Sequence, residues 1–196
     1  QLVLFGLVNT ALHYFFFYLG VSNSPGGRAS ILDSLGTFLL ILAAAVVFRE
    51  KLTLRSIFGC LLGFSGIVLI NLGSTAGQFT LSGDGMLLCS SVCAMVGGLL
   101  TRVVTRKMDP LVATGHSLAL GGALLIPAGL LMGAHPVGVH LKGLLILAAL
   151  VAVSAVGFSF YNQLLRYHPV GQIAIYNAFI PVLGVVLSCL LLGEPF

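Results

Sequence analysis

Long apolar runs constrain this chain more than any other feature. Seven of them cover roughly residues 2–21, 27–48, 56–72, 85–105, 111–132, 141–165 and 170–192. Each is close to the ~20 residues that carry a helix across a bilayer. The runs are continuous rather than alternating and far exceed strand length, so they read as helices. In lipid a helix satisfies its own backbone hydrogen bonds, which an open strand cannot do. Charged residues make up only 7% of the chain, against about 25% in a soluble domain. The expected fold is therefore an all-α membrane protein, a polytopic helical bundle. The 25 glycines fit helices that approach one another closely.

The polar residues punctuate these runs. Ser22-Asn23-Ser24-Pro25 offers a helix N-cap followed by proline at the first helical position. Asp109-Pro110 and His168-Pro169 place proline at the start of the fifth and seventh runs. Residues 73–83 form the longest polar connection, and residues 133–140 another. On one side the alternating connections collect Arg49, Lys51, Arg55, Arg102, Arg106, Lys107 and Arg166; the other receives Arg28 and Lys142. Seven against two predicts that the first side, with the Arg49/Lys51/Arg55 and Arg106/Lys107 loops, is cytoplasmic. The net charge of +4 is thus loop charge that sets topology, and no nucleic-acid partner is expected. Cys60, Cys89, Cys93 and Cys189 all lie inside apolar runs and read as small packing residues. Cys89 and Cys93 share a helix face without a nearby histidine, a weak metal signal, so no metal is assigned.

The second run has a counterpart in the seventh. Pro25, Gly27, Ile31, Asp33, Leu39 and Glu50 are matched at a constant offset of 144 residues by Pro169, Gly171, Ile175, Asn177, Leu183 and Glu194. That is five identities and one Asp/Asn near-match in 26 positions. The weight rests on the polar punctuation, since apolar helices resemble one another by composition. Five steps separate the two runs, so they cross the bilayer in opposite directions. The charges agree: Glu50 sits between Arg49 and Lys51, whereas Glu194 sits between Gly193 and Pro195. An inverted five-helix repeat is an architecture of secondary transporters, with the site near the midplane. The offset leaves room for two spans before Gln1 and one after Phe196, which predicts a parent of ten spans truncated at both ends, with seven present. Residues 1–72 would then hold three spans of the first repeat, 73–83 a loop, and 84–196 four spans of the second.

These stretches resemble the EamA-like branch of the drug/metabolite transporter superfamily. From Phe48 to Asn71 a glutamate-ended helix runs into one with Gly59, Gly63 and Gly66. Leu165 to Gln172, continuing from Phe179 through Pro181 to Glu194, is similar to the matching part of a second repeat. The resemblance covers essentially the whole chain, as helices 3 to 9 of ten. It implies a bacterial inner-membrane, multi-pass exporter of small metabolites such as amino acids, or of drugs, and marks Glu50 and Glu194 at helix ends. The chain departs from the pattern at Thr37, the counterpart of Pro181, where the resemblance implies proline in both repeats.

Asp33 is the sharpest candidate for a transport role. It lies eight residues inside Pro25, roughly 12 Å along a helix at 1.5 Å per residue. An ionised carboxylate there costs about 2.5–3.5 kcal/mol or more unless it faces a cavity or partner. It reads as a substrate or proton site, or as a structural partner of Arg28. Asn177 approaches the same depth from the other side. His13 is mid-span with Asn9 one turn earlier, and suits either proton shuttling or a hydrogen bond within the bundle. Tyr161, Asn162, Gln172 and Tyr176 complete a candidate polar path, or simply bond helix to helix. Glu50 and Glu194 read more readily as helix-end anchors than as substrate contacts. Gly59, Gly63 and Gly66 read as a packing stripe.

The function expected is a secondary transporter working by alternating access. Its partners are a small-molecule substrate, the lipid bilayer and a coupling proton or ion, with a homodimer left open. No nucleotide-binding loop is visible, so no cofactor is assigned. An enzyme is not expected: Ser90, Ser91 and Ser154 have no evident base in the sequence. The alternative is a seven-span receptor or another polytopic protein without transport, which would leave the inverted repeat unexplained.

Overall fold

The computed structural model describes residues 2–49, 54–71, 79–133 and 140–177. All regular structure among them is helical. The helices are α1 (Leu2–Asn23), α2 (Gly26–Val47), α3 (Leu54–Asn71), α4 (Leu81–Thr105), α5 (Pro110–Leu131), α6 (Leu141–Tyr167) and α7 (Val170–Asn177). Four of them, α1, α4, α5 and α6, are long and apolar enough to cross a membrane. Shorter apolar stretches lie at Ile31–Val47 and Ile57–Gly66. The expected boundaries of the first six runs and the start of the seventh hold to within a few residues, because the polar breakers coincide with the helix ends; the end of the seventh lies outside the described residues. Residues 178–196, with Pro181, Leu183 and Glu194, and Glu50 itself lie outside the described residues.

Local chemistry explains the ends. Asp109 caps α5, accepting from the N–H groups of Leu111 (2.8 Å) and Val112 (3.4 Å), and Pro110 occupies the first helical position. The far end of α5 closes on Gly133 at φ 86, a left-handed turn that glycine adopts at no steric cost. The expected cap at Ser22 to Pro25 takes another form. Ser22 and Asn23 donate backwards to the Leu19 carbonyl at 2.9 and 2.8 Å. Pro25 precedes α2, and its carbonyl accepts from Ala29 N–H at 2.9 Å. Ser24 turns away to bond Asp84. Ser24 Oγ is the donor in that bond, which the carboxylate's charge strengthens.

α2 and α4 lie side by side along most of their length. Ser91 on α4 donates to the Leu32 carbonyl at 2.6 Å. Gly36 and Gly98 allow the approach: a Cβ on Gly98 would lie 2.6 Å from a Leu40 methyl. Small residues permit such contact where lipid supplies no hydrophobic drive between helices. At one end of this pair, Arg28 meets Asp84 at 2.9 Å. At the other, Arg102 lies 4.8 Å from the centre of the Phe48 ring and Arg106 6.0 Å from it. A core of Leu40, Ala44, Leu165, Val170 and Ile173 joins the end of α2 to the α6–α7 corner. On α3, nothing lies within 4 Å of a Cβ placed on Gly66.

Two segments depart from α geometry. Leu7–Leu12 within α1 and Leu81–Gly85 at the start of α4 are π-helical. Such widened turns concentrate at functional positions. The first carries Asn9 and Thr10, and the second carries Asp84.

Candidate functional site

A cavity of about 530 Å³ opens among α1, α2, α4, α5 and α6. That is within the ~300–1,000 Å³ typical of small-molecule sites. The residues facing it sit near the middle of α1 and α2 and four to eight positions inside α5. The cavity therefore lies at mid-helix depth rather than at the helix ends.

Its walls are built from short polar side chains held by specific bonds. The π-helical turn of α1 presents Asn9 and Thr10 to Ser117 of α5, with Asn9 Nδ2 donating to Ser117 Oγ at 3.2 Å and the Thr10 and Ser117 hydroxyls 2.7 Å apart. Glycines receive this wide turn: a Cβ on Gly97 would lie 2.6 Å from Asn9 Oδ1, and one on Gly121 2.4 Å from Thr10 Cβ. On the opposite wall Asn162 Nδ2 donates to Thr114 Oγ1 at 2.7 Å, and Thr114 donates to the Pro110 carbonyl at 2.7 Å. That relay fixes the Asn162 amide, which leaves its carbonyl and second N–H for other partners. Thr37, Ser154 and Tyr161 add two hydroxyls and a phenol to the lining. The lining offers hydrogen-bond donors and acceptors around apolar contacts, a surface suited to a small polar solute.

His13 and Tyr14 also face the cavity. His13 Nδ1 lies 3.2 Å from the Ser90 carbonyl and 3.1 Å from Ser90 Oγ. Ser90 Oγ in turn donates to the His13 carbonyl at 3.3 Å. Asp33 stands one turn before Thr37 on the same face of α2. Its expected structural partner has another carboxylate: Arg28 pairs with Asp84. Arg28 and Asp33 are five positions apart, nearly one and a half helical turns, so they occupy different faces.

Of the residues singled out in the sequence, Asn9, His13, Tyr161 and Asn162 line the cavity, and Asp33 is not among the lining residues. Gln172 and Tyr176 are exposed and stand outside the lining. Asn177 ends α7, and Glu50 and Glu194 lie outside the described residues. The sequence reading missed Thr10, Thr37, Thr114, Ser117 and Asp84. Serine and threonine are ordinary in membrane helices, and the only available signal was spacing: Thr114 and Ser117 share a face, and Thr37 follows Asp33 by one turn. It also did not pair Ser90 with His13, which the fold brings to it across 77 positions.

The sequence pattern of the EamA-like transporter family matches residues 1–72 and 81–196. The chain belongs to that family. It is a family of transporters rather than enzymes, and the protein is an integral, multi-pass membrane protein. Membership also removes the receptor alternative. An uncharacterized transporter of Archaeoglobus fulgidus is 23% identical over 97% of this chain and 68% of its own length. The uncharacterized transporter sll0355 of Synechocystis is 27% identical over 98% of this chain. The chain spans 64% of that relative's length. The WAT1-related chloroplastic protein At3g02690 of Arabidopsis thaliana is 28% identical over 64% of this chain and 31% of its own length. One solved crystal structure superimposes with a TM-score of 0.74 at 20% identity, over 95% of this chain and 67% of the other. At that identity the likeness speaks for the fold alone.

Proposed function

We propose that the full-length protein is a secondary transporter that exports a small polar metabolite, an amino acid or a drug-like solute among them, through this cavity by alternating access. The observation that carries the reading is the cavity itself. It lies at mid-helix depth, sets hydroxyl and amide groups among apolar side chains, and is walled by residues from both segments that match the family, Asn9, His13 and Thr37 from 1–72 and Thr114, Ser117 and Asn162 from 81–196. A site between two such halves is where a rocking motion would change access.

On this reading the chain supplies seven spans of a ten-span protein made of two inverted five-helix repeats. Two features support it beyond the sequence match. The Pro25 carbonyl accepts from Ala29 N–H (2.9 Å) and the Pro169 carbonyl from Ile173 N–H (3.4 Å), equivalent bonds at the 144-residue offset. Leu40 and Ala44, late in α2, pack on Val170 and Ile173, early in α7, as expected of helices running in opposite senses. α2 and α7 rock against each other and expose Asp33, Asn177 and His13 alternately. The end carrying Arg49, Arg102, Arg106, Lys107 and Arg166 faces the cytoplasm.

Uptake of a panel of labelled amino acids into proteoliposomes by the full-length protein tests this. Asp33→Asn and His13→Ala are each expected to lower the transport rate by about tenfold or more, equivalent to ~1.4 kcal/mol on the barrier. Unchanged rate and unchanged pH dependence in both variants would sink the assigned roles.

A further inference from the structure

The hydroxyls of serine and threonine in the cavity wall fall into two groups. Thr10 and Ser117 bond each other at 2.7 Å, and Thr101 and Thr114 donate to the carbonyls of Gly97 and Pro110 at 2.9 and 2.7 Å. Helical serine and threonine commonly bond backward in this way. Thr37 and Ser154 form the second group: both line the cavity, and among the described residues neither has a hydrogen-bond partner. Thr37 stands midway along the 22 residues of α2, and Ser154 midway along the 27 of α6. The space beside Ser154 is open. Gly157, three residues on and so on the same face of α6, also lines the cavity, and a Cβ placed on it would meet nothing within 4 Å. The lining glycines of the α2–α4 wall are instead closed by neighbours. A Cβ on Gly36 would lie 3.3 Å from Ala94 Cβ, and one on Gly98 2.6 Å from a Leu40 methyl. Room for a solute therefore lies along α6, where Phe158 follows Ser154 by one turn.

We propose that Thr37 and Ser154 are specificity-determining residues that hydrogen-bond an uncharged hydroxyl, amide or carbonyl group of the solute, whose apolar body lies along Gly157 and Phe158. The inference rests on the transporter reading and names the kind of solute its cavity takes. A hydroxyl both donates and accepts, so either side chain can meet any of these three groups. Neither can offset a formal charge, and a charged group met only by hydroxyls regains less than it loses on leaving water. Among the described residues, the lining holds no Lys, Arg, Asp or Glu that would supply the difference. An apolar group in the same place would displace water and leave both hydroxyls without partners. A site built to hydrogen-bond a hydroxyl rejects the analogue that lacks it for this reason.

The test compares proteoliposome uptake, by the full-length protein, of labelled amino acids paired to differ in one uncharged polar group: serine with alanine, asparagine with leucine, tyrosine with phenylalanine. The wild-type protein is expected to favour the polar member of at least one pair by about fivefold in kcat/KM. Thr37→Val and Ser154→Ala are each expected to lower that ratio at least about threefold, whereas Thr37→Ser keeps it. No preference in any pair, or a preference that ignores both variants, overturns the proposal and leaves the transporter reading standing. Thiol labelling is a second arm that needs no substrate, with Cys60, Cys89, Cys93 and Cys189 replaced beforehand. Thr37→Cys and Ser154→Cys are expected to react with a small water-soluble methanethiosulfonate. Leu150→Cys, one turn before Ser154 and outside the lining, is expected to stay unmodified. Failure of either cavity position to react, or equal reaction at Leu150, overturns the proposal. A wild-type protein that moves none of these solutes counts against the transporter reading, and the labelling then decides whether the two hydroxyls meet cavity water.

Discussion

Asp84 has no exposed surface, and a carboxylate so placed is costly unless donors meet it. Three do: Ser24 Oγ, Thr80 N–H at 2.9 Å and Arg28 Nη1 at 2.9 Å. The site ties the α1–α2 loop and the first turn of α2 to the π-helical start of α4. Gly83 makes the fit possible, since a Cβ there would stand 2.5 Å from the Asn23 carbonyl oxygen. Asp84→Ala would remove the acceptor of all three bonds. The expected cost is about 3 kcal/mol, the low end for a broken buried pair because Arg28 keeps some solvent access. Thermal or chemical denaturation of the purified protein checks it, and Asp84→Asn, which still accepts from Ser24 and Thr80, should cost less. None of this was legible in the sequence. Asp84 sits at the end of a polar loop and reads as punctuation, and its partner Arg28 is 56 positions away. Asp33 and His13 were legible because a large polar group deep in an apolar run is conspicuous wherever it points.

At the scale of the element, α1 illustrates what periodicity hides. A run of twenty apolar residues predicts a straight span, yet α1 widens into a π-helical turn at Leu7–Leu12. Gly97 and Gly121 on two neighbouring helices accommodate it. Gly121→Ala should therefore force Thr10 and its backbone to move, costing about 1–3 kcal/mol by overpacking and disturbing the Asn9–Ser117 bond. Gly115→Ala and Gly122→Ala on the same helix meet nothing within 4 Å and should change stability by no more than about 0.5 kcal/mol. Melting curves of the three variants separate the cases, and equal losses in all would reject the socket. A glycine in a pocket and a glycine facing open space are identical in sequence. Gly66, one of three regularly spaced glycines on α3, is of the second kind: a Cβ there would meet nothing within 4 Å.

Across the whole molecule, three arginines mark the two ends of the α2–α4 pair. Arg102 and Arg106 gather about Phe48 at one end, and Arg28 is bound to Asp84 at the other. If the arginine-rich end is cytoplasmic, a cysteine introduced at Lys107 should react with a membrane-impermeant maleimide only after the cells are opened. One at Asn23 should react in intact cells, with Cys60, Cys89, Cys93 and Cys189 replaced beforehand. The reverse pattern would invert the topology. Helix extents and the family were available from the sequence alone. Each helix in lipid satisfies its own backbone, so its limits follow from where polar residues and prolines interrupt the apolar run. The partners of the polar side chains were decided by the tertiary structure: Asn162 with Thr114, Asn9 and Thr10 with Ser117, His13 with Ser90, Arg28 with Asp84. In a bilayer the helices meet through close backbone approach and a few hydrogen bonds between residues tens of positions apart. Those pairings leave no period in the chain, and the cavity they wall exists only once the helices are packed.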